Sequence, residues 1–458
     1  MTLLDPEPTQ AGKAIAAAQR PSAAQRPSAA PRPSAAPRPS AAPRRASIFE
    51  RAVRARLNSI QHGSLHLRTS RGVERFGSSR GDSGPHAMAE VKDDRFWRTL
   101  ALRGNVGAGE AYAFGWWTSP EPTDVVRLFV RNHDTLLDMQ RGIARFSAPL
   151  LKAYHRLRDN TRGGAARNIS AHYDLSNEFF GLFLDPTMTY SSALWESPDA
   201  TLEEAQHAKI DRLCERLRLG PDDHLLEIGT GWGGFALRAA RRFGCRVTTT
   251  TISREQHAFA SERIAAAGLQ DRVDVRLEDY RDLEGQFSKA VSVEMVEAVG
   301  ARHYPTYFES VSRLLEPGGA FAVQAITIHD RHYDNARRTV DFIKRHIFPG
   351  SCIPSVSALT GAASVNSDLR LVHMEDFGTD YARTLREWRD TLRSRGDDAR
   401  ALGFDDDFLR LFDYYFAYCE GGFLERHISV AHLVFAREGR AFAPPIARSL
   451  LEPAEAGS

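Results

Sequence analysis

From residue 202 to residue 328 the apolar positions switch repeatedly between two periods. Leu202 to Leu217 repeats at helical spacing, and His224 to Ile228 is an apolar run of strand length. Phe235 to Arg242 reads as helix, Arg246 to Ile252 as strand and Arg254 to Ala267 as helix. Val273 to Leu277 and Ala290 to Glu294 read as strands, Tyr304 to Leu315 as helix and Ala320 to Ile328 as strand. Alternation with short loops predicts a parallel sheet covered by helices on both faces.

The N-terminal part has another pattern. Residues 47 to 60 alternate apolar and basic positions at helical spacing, Leu65 to Thr69 reads as a strand, and Phe96 to Leu102 as a short helix. Gly104 to Trp117 is rich in glycine and aromatics, and Asp124 to Arg141 reads as an amphipathic helix. The stretch predicts a small α+β domain. Residues 17 to 45 repeat Arg-Pro-Ser-Ala-Ala-(Gln/Pro), with Pro21, Pro27, Pro33 and Pro39 six apart. Recurring proline forbids a continuous helix and favours solvated, extended chain. The six arginines of this tail leave open a weak electrostatic tether to anionic lipid. The predicted organisation is a disordered repeat tail (1–46), a small N-terminal domain (47–150), a basic linker (151–170), a catalytic domain (171–440) and a C-terminal tail (441–458).

Composition narrows the class. The 458 residues are 42% hydrophobic and 26% charged, which is ordinary for a soluble globular chain, and the net charge of +2 implies no pull toward nucleic acid. Four cysteines without paired spacing suggest neither a disulfide framework nor a zinc site, as expected of a reducing cytoplasm. The opening Met1-Thr-Leu-Leu-Asp-Pro does not read as a secretory signal, and no apolar run is of membrane-spanning length. Membrane contact is therefore expected to be peripheral.

Residues Leu225-Leu-Glu-Ile-Gly-Thr-Gly-Trp-Gly-Gly234 carry the most chemistry. An apolar strand enters a glycine turn and a helix follows, the nucleotide-binding opening of a doubly wound domain. Gly229, Gly231 and Gly234 satisfy the dinucleotide spacing, so a dinucleotide fold and a purely structural turn stay open. The turn also reads as Glu-x-Gly-x-Gly-x-Gly, the first motif of S-adenosylmethionine (SAM) methyltransferases. A dinucleotide site wants an acid about 20 residues on, and Arg246 to Ser253 holds none. Candidate cofactor residues are Glu227, Gly229, Thr230, Gly231, Trp232, Gly233, Thr251, Ile252, Gln256 and Asp279. Gln256 and Thr251 suit ribose hydroxyls, and Asp279 suits an adenine amine. His329, Asp330 and His332 match no trusted ligand spacing, so no metal is expected.

His172-Tyr-Asp-Leu-Ser-Asn-Glu-Phe-Phe-Gly-Leu-Phe-Leu-Asp-Pro-Thr-Met-Thr-Tyr-Ser191 strongly resembles the signature of cyclopropane-fatty-acyl-phospholipid synthases and the related mycolic acid methyltransferases. Glu294 to Gly300, Asp341 to Gly350, Phe377 to Leu385 and Tyr414 to Phe423 resemble further blocks, in family order. The resemblance covers roughly 47 to 440. It implies a Rossmann-like α/β, seven-stranded SAM-dependent methyltransferase domain preceded by a small lipid-presenting domain. It also implies addition of a methylene across cis double bonds of unsaturated phospholipid acyl chains, at the inner face of the membrane. Whether the chain forms a homodimer is left open.

Carried over by position, Glu297 is the carboxylate that accepts from a bound bicarbonate ion, the base of the family reaction. Tyr381 donates its phenol and Ile326 its backbone N–H. Tyr190 and Ser191 line the cofactor site, with Tyr280 and Arg281 near the adenine. Cys419 lies in a motif whose thiol has been assigned to the site; the bland alternative is a buried helix cysteine. His172 stands as either catalytic or structural, and Trp116-Trp117 as either an acyl entrance or core. Two positions depart from the bacterial phospholipid pattern: Ser192 stands where Cys is usual, and Gln324 where His is usual. Both can still donate hydrogen bonds, but a titratable imidazole is lost, which opens a methyl-branched product; the Gln position resembles plant-type cyclopropane synthases, which keeps ring closure favoured. A catalytically weak lipid-binding protein is the rival of another class.

Overall fold

The computed structural model describes residues 46–77, 84–133 and 176–438. The repeat tail, the basic linker, the C-terminal tail and His172 lie outside them. The chain divides into two compact units, Met1–Ser147 with Gly396–Tyr418, and Ala148–Arg395 with Cys419–Ser458. Segment 396–418, inside the span expected for the catalytic domain, thus belongs to the first unit.

The first unit holds a four-stranded sheet in the order β2-β1-β3-β4, with β1 Ser64–Thr69, β2 Gly72–Gly77, β3 His86–Val91 and β4 Trp117–Thr118. Leu65 and Leu67 of β1 are buried while His66 and Arg68 point outward, the two-residue period of a half-covered strand. The helix expected over Phe96 to Leu102 runs on as Arg95–Ala113, with one break at Gly104 where φ is 55°. Its C-terminal half, read from the sequence only as rich in glycine and aromatics, is helical and largely buried. Trp117 is core: its ring is buried and its Nε1 donates to the Ala108 carbonyl at 2.8 Å.

The second unit is built on a seven-stranded sheet in the order β10-β11-β9-β8-β5-β6-β7. The strands are β5 His224–Ile228, β6 Arg246–Thr251, β7 Val273–Leu277, β8 Phe287–Val293, β9 Leu315–Ile328, β10 Leu369–Asp376 and β11 Ile428–Arg437. Neighbours from β9 to β7 are parallel, whereas β11 runs antiparallel to both β9 and β10. Alternate residues of each strand enter opposite cores. Leu226, Ile228, Phe321 and Val323 pack under helix Tyr304–Leu314. Leu225, Ala320, Ala322 and Val434 pack under helices Leu202–Arg216 and Gly234–Phe243. Strand order reverses between β5 and β8, so ligands are expected beyond the carboxyl ends of those two strands.

All four cysteines are unpaired. Among the described residues no helix is long and apolar enough to cross a membrane.

Candidate active site

The turn after β5 is an open cradle. Gly229, Gly231 and Gly233 all have positive φ, which L-residues with a Cβ adopt only with strain. A Cβ on Gly231 would meet nothing within 4 Å, so the turn borders free space. At Gly234 the reverse holds, because a Cβ there would lie 2.5 Å from the Thr187 carbonyl oxygen. Trp232 is buried and fixed: Nε1 donates to Asn177 at 2.7 Å, and its ring sits 4.9 Å from that of Phe180. Thr230 and Thr249 share a hydrogen bond at 2.8 Å. Glu227, on β5 just before the turn, is buried with Oε2 unpartnered, and burial pushes its carboxyl up to about 8. Free space beside glycine backbone and an unsatisfied buried acid fit a polar ligand such as SAM.

The other expected cofactor residues surround the ends of β6 and β7. Thr251 donates from Oγ1 to Gln256 Oε1 at 2.9 Å, and Ser253 caps the following helix by accepting from the Gln256 N–H. Ile252, beside them, is half-buried. Asp279 is clasped by Arg281 through both oxygens, at 2.9 and 2.5 Å. Tyr280 packs edge-on against Tyr307, and burial raises its phenol to about 12. Tyr190 lies in an aromatic cluster with Phe180 and Trp388, each at 5.2 Å between ring centres.

A cage of acids follows β8. Glu294 is the first residue beyond the strand, and its φ of 46° turns the chain sharply there. Its carboxylate collects three donors from distant segments. Ser192 N–H and the Gln324 amide reach Oε1 at 2.9 and 2.7 Å, and the Tyr381 hydroxyl reaches Oε2 at 2.7 Å. Burial raises the Glu294 pKa, while Lys209, Tyr381, Ser192 N–H and Gln324 all act to lower it. Glu297, one helical turn on, accepts from the Ile326 N–H at 2.5 Å, and its Oε2 is buried without a partner. Burial, then the neighbouring Glu294, push its carboxyl up to about 8. Glu294, with three donors and a lysine nearby, is the better stabilised of the two as an anion, while burial still raises its pKa. Glu297, with one donor, is the member that holds a proton at neutral pH.

The donors expected to face bicarbonate are therefore already engaged within the protein. Tyr381 and Gln324 donate to Glu294, and the Ile326 N–H donates to Glu297. Ser192 takes part through its backbone, while its hydroxyl donates to the Ala193 carbonyl at 2.9 Å. Cys419 is outside this hydrogen-bonded set. Burial raises its thiol, which lies close enough to act electrostatically on Tyr381. His329 caps helix Asp330–Ala336, and His332 packs against His427 at 4.9 Å between ring centres.

Four further residues carry no role in the sequence reading. Glu294 lay in a quoted motif without a role. Lys209, fully buried, donates to Ser191 Oγ at 2.7 Å, and burial lowers its pKa to about 8. Its neighbour Gln206 donates to the Ser191 carbonyl at 2.9 Å. Polar residues at positions 206 and 209, among Ala205, Ile210 and Leu213 on the buried side of one helix, were the available signal. His432, the fourth, lies opposite Gln324 on β11.

Residues 160–433 match the family model described as mycolic acid cyclopropane synthetase. The chain belongs to that family. It is a SAM-dependent methyltransferase of the cyclopropane synthase type, a lipid-acting family. Tuberculostearic acid methyltransferase UfaA1 of Mycobacterium tuberculosis is 39% identical over 79% of this chain and 86% of its own length. Cyclopropane-fatty-acyl-phospholipid synthase of Escherichia coli K12 is 35% identical over 80% of this chain and 91% of its own. The solved structure of mycolic acid cyclopropane synthase CmaA1 with SAH and CTAB is 31% identical, with a TM-score of 0.56. It covers 59% of this chain and 98% of that one.

Proposed function

We propose that this methyltransferase methylates the cis double bond of an unsaturated phospholipid acyl chain and that Glu294 is the base that completes the reaction. The observation that carries this reading is the convergence of Ser192 N–H, Gln324 and Tyr381 on one buried carboxylate, beyond the strand next to the glycine turn.

When bound, SAM supplies an electrophilic methyl group on a sulfonium. Gly229 to Gly233 would give it close backbone approach, and Thr251, Gln256 and Asp279 would hold its ribose and adenine. Methyl transfer forms a carbon–carbon bond at one alkene carbon and leaves a cation on the acyl chain. Loss of a proton from a chain carbon beside the cation then gives a neutral open-chain alkene; loss from the new methyl group gives a methylene branch if a 1,2-hydride shift has first moved the cation to the methylated carbon, and a ring if it has not. Glu294 accepts that proton. Three hydrogen bonds occupy three of its roughly four lone-pair sites in the resting state, which blunts it as a nucleophile toward the methyl group and leaves one site for the proton. Glu297, kept protonated by burial, avoids adding a second anion.

The product in this reading is an open-chain methylated lipid. Its support is the likeness to the tuberculostearic acid methyltransferase, together with Gln324 and Ser192 in place of the usual His and Cys. Cyclopropane formation is the second reading, favoured by the likeness to the Escherichia coli synthase. Bicarbonate belongs with that second reading, as an ion lodged beside the unpartnered Glu297 Oε2. Access to the acyl chain is peripheral, from the cytoplasmic face of the membrane.

The test is mass spectrometry of phospholipid fatty acids from cells with and without the protein. A gain of one CH2 on unsaturated chains is expected, and NMR separates a methylene or methyl branch from a ring. Purified enzyme assayed in bicarbonate-free buffer should keep its rate. A rate that collapses without bicarbonate and returns on its addition assigns the base to the ion instead. Lipids unchanged by the protein would defeat the whole reading.

A further inference from the structure

We infer that His432 is a positioning residue for the acid cage: it holds the Gln324 amide in the one orientation that lets it donate to Glu294. The inference rests on the reading of Glu294 as the base. Gln324 on β9 and His432 on β11 are paired directly across the antiparallel ladder, on the sheet face covered by helix Leu202–Arg216. Both are fully buried. Opposite residues of such a ladder bring their side chains into contact on one face.

The amide has two ways to lie. As found, its N–H groups point to Glu294 Oε1 at 2.7 Å and to the Ser192 carbonyl at 3.2 Å, while Oε1 lies 2.9 Å from His432 Nε2. Flipped, the carbonyl oxygen would face a carboxylate and a second carbonyl, and two hydrogen bonds would become two repulsions. The orientation is therefore decided by its acceptors, and it requires that the group opposite Oε1 be a donor. His432 must carry its proton on Nε2. Its Nδ1 is buried without a partner, so a second proton would have nowhere to donate. Burial lowers the His432 pKa well below the usual range, and Lys209, Arg212, Arg216 and His373 act in the same direction. Phe377 packs against the ring at 4.6 Å between centres and limits its rotation. The imidazole is thus a neutral donor of fixed direction, acting on the base through one intervening amide.

Two arms test this on the full-length protein. In the first, His432→Leu is expected to lower kcat roughly 10- to 100-fold, the scale for stranding a buried acceptor beside an essential charge. KM and SAM affinity should stay within about threefold. His432→Gln, which keeps a donor, should retain most activity. The double exchange Gln324→His with His432→Gln should be more active than Gln324→His alone. Wild-type kcat in His432→Leu overturns the inference. So does an inactive but folded His432→Gln, or a double exchange no better than the product of its single variants. If His432→Leu does not fold, the Gln variant and the exchange decide.

The second arm needs no turnover. Nitrogen NMR of histidine-labelled protein without SAM should show a neutral His432 ring protonated at Nε2, a state that Gln324→Leu should disturb. The other tautomer, or no response to Gln324→Leu, overturns the inference. A wild-type enzyme inactive on unsaturated lipids, with the Nε2–H signal present, would instead fault the proposed reaction and leave the pairing standing.

Discussion

The turns after β5 and β8 follow neighbouring strands of one sheet, yet they work in different ways. The first offers backbone and empty space: positive φ at Gly229, Gly231 and Gly233, and no atom within 4 Å of where a Gly231 Cβ would stand. The second is filled by side chains. Glu294 and Glu297 are met there by Ser192, Gln324, Ile326 and Tyr381, residues as much as 189 positions apart in the sequence numbering, from 192 to 381. A cradle for a large cofactor needs only local chain geometry. A proton acceptor poised in a low-dielectric site needs donors aimed from several directions. On the proposed reading binding belongs to one turn and proton transfer to the other, and substitutions should separate them.

The sharpest separation is Glu294→Gln. It should lower kcat by on the order of 10²- to 10⁴-fold, the scale of a positioned proton-transfer group. SAM affinity, measured by calorimetry, should stay near wild type. Full activity in the folded variant would move the base elsewhere. The mirror experiment is Gly231→Val, which puts a branched side chain at a φ of 51° and into the open space of the turn. SAM binding should weaken by on the order of 100-fold or more, about 2.8 kcal/mol, with the fold retained by circular dichroism. Unchanged affinity would make that turn structural only.

Tyr381→Phe removes a single donor from Glu294 and leaves the ring packing against Phe423 at 4.7 Å between centres. A hydrogen bond to a charged group contributes roughly 1.5–3 kcal/mol. The turnover rate should therefore fall about 10- to 100-fold with little change in SAM affinity. Equal losses in rate and in affinity would mean that the two turns are not separable at this residue.

The smallest effect concerns stability. Glu297 holds its proton up to about pH 8 in the folded chain, against an ordinary carboxyl value of 4.5. Between those values the unfolded chain releases a proton that the folded chain keeps, so stability falls as pH rises, by up to about 1.4 kcal/mol per pH unit. Below that window both states are protonated, and this penalty vanishes. Glu297→Gln should flatten the dependence, read from urea midpoints at about pH 5 and 7.5. Glu227, also raised to about 8, keeps its own slope in the variant. An unchanged profile would show that Glu297 is ionised in the native state.

The same contrast explains what was legible beforehand. The alternation of helix and strand from Leu202 to Ile328 was readable because hydrophobic period is a local property, and each element lies within a few residues of its expected bounds. Helix Arg95–Ala113 was cut short because glycine-rich sequence lowers helix propensity, whereas close packing of small residues overrides it. Antiparallel β11 carries no local mark of its direction, since strand orientation is decided by partners.

The chain by itself determined the fold class, the glycine cradle and the family, all of which rest on short stretches whose spacing carries the chemistry. Tertiary structure alone decided which acid is met by three donors. Glu294 and Glu297 share one short motif, and nothing in that motif distinguishes them. The distinction comes from Ser192, Gln324, Tyr381 and Lys209 gathered around one carboxylate, while the other keeps a bare oxygen. Burial raises the pKa of both, and only the donors supplied from distant segments distinguish Glu294 from Glu297.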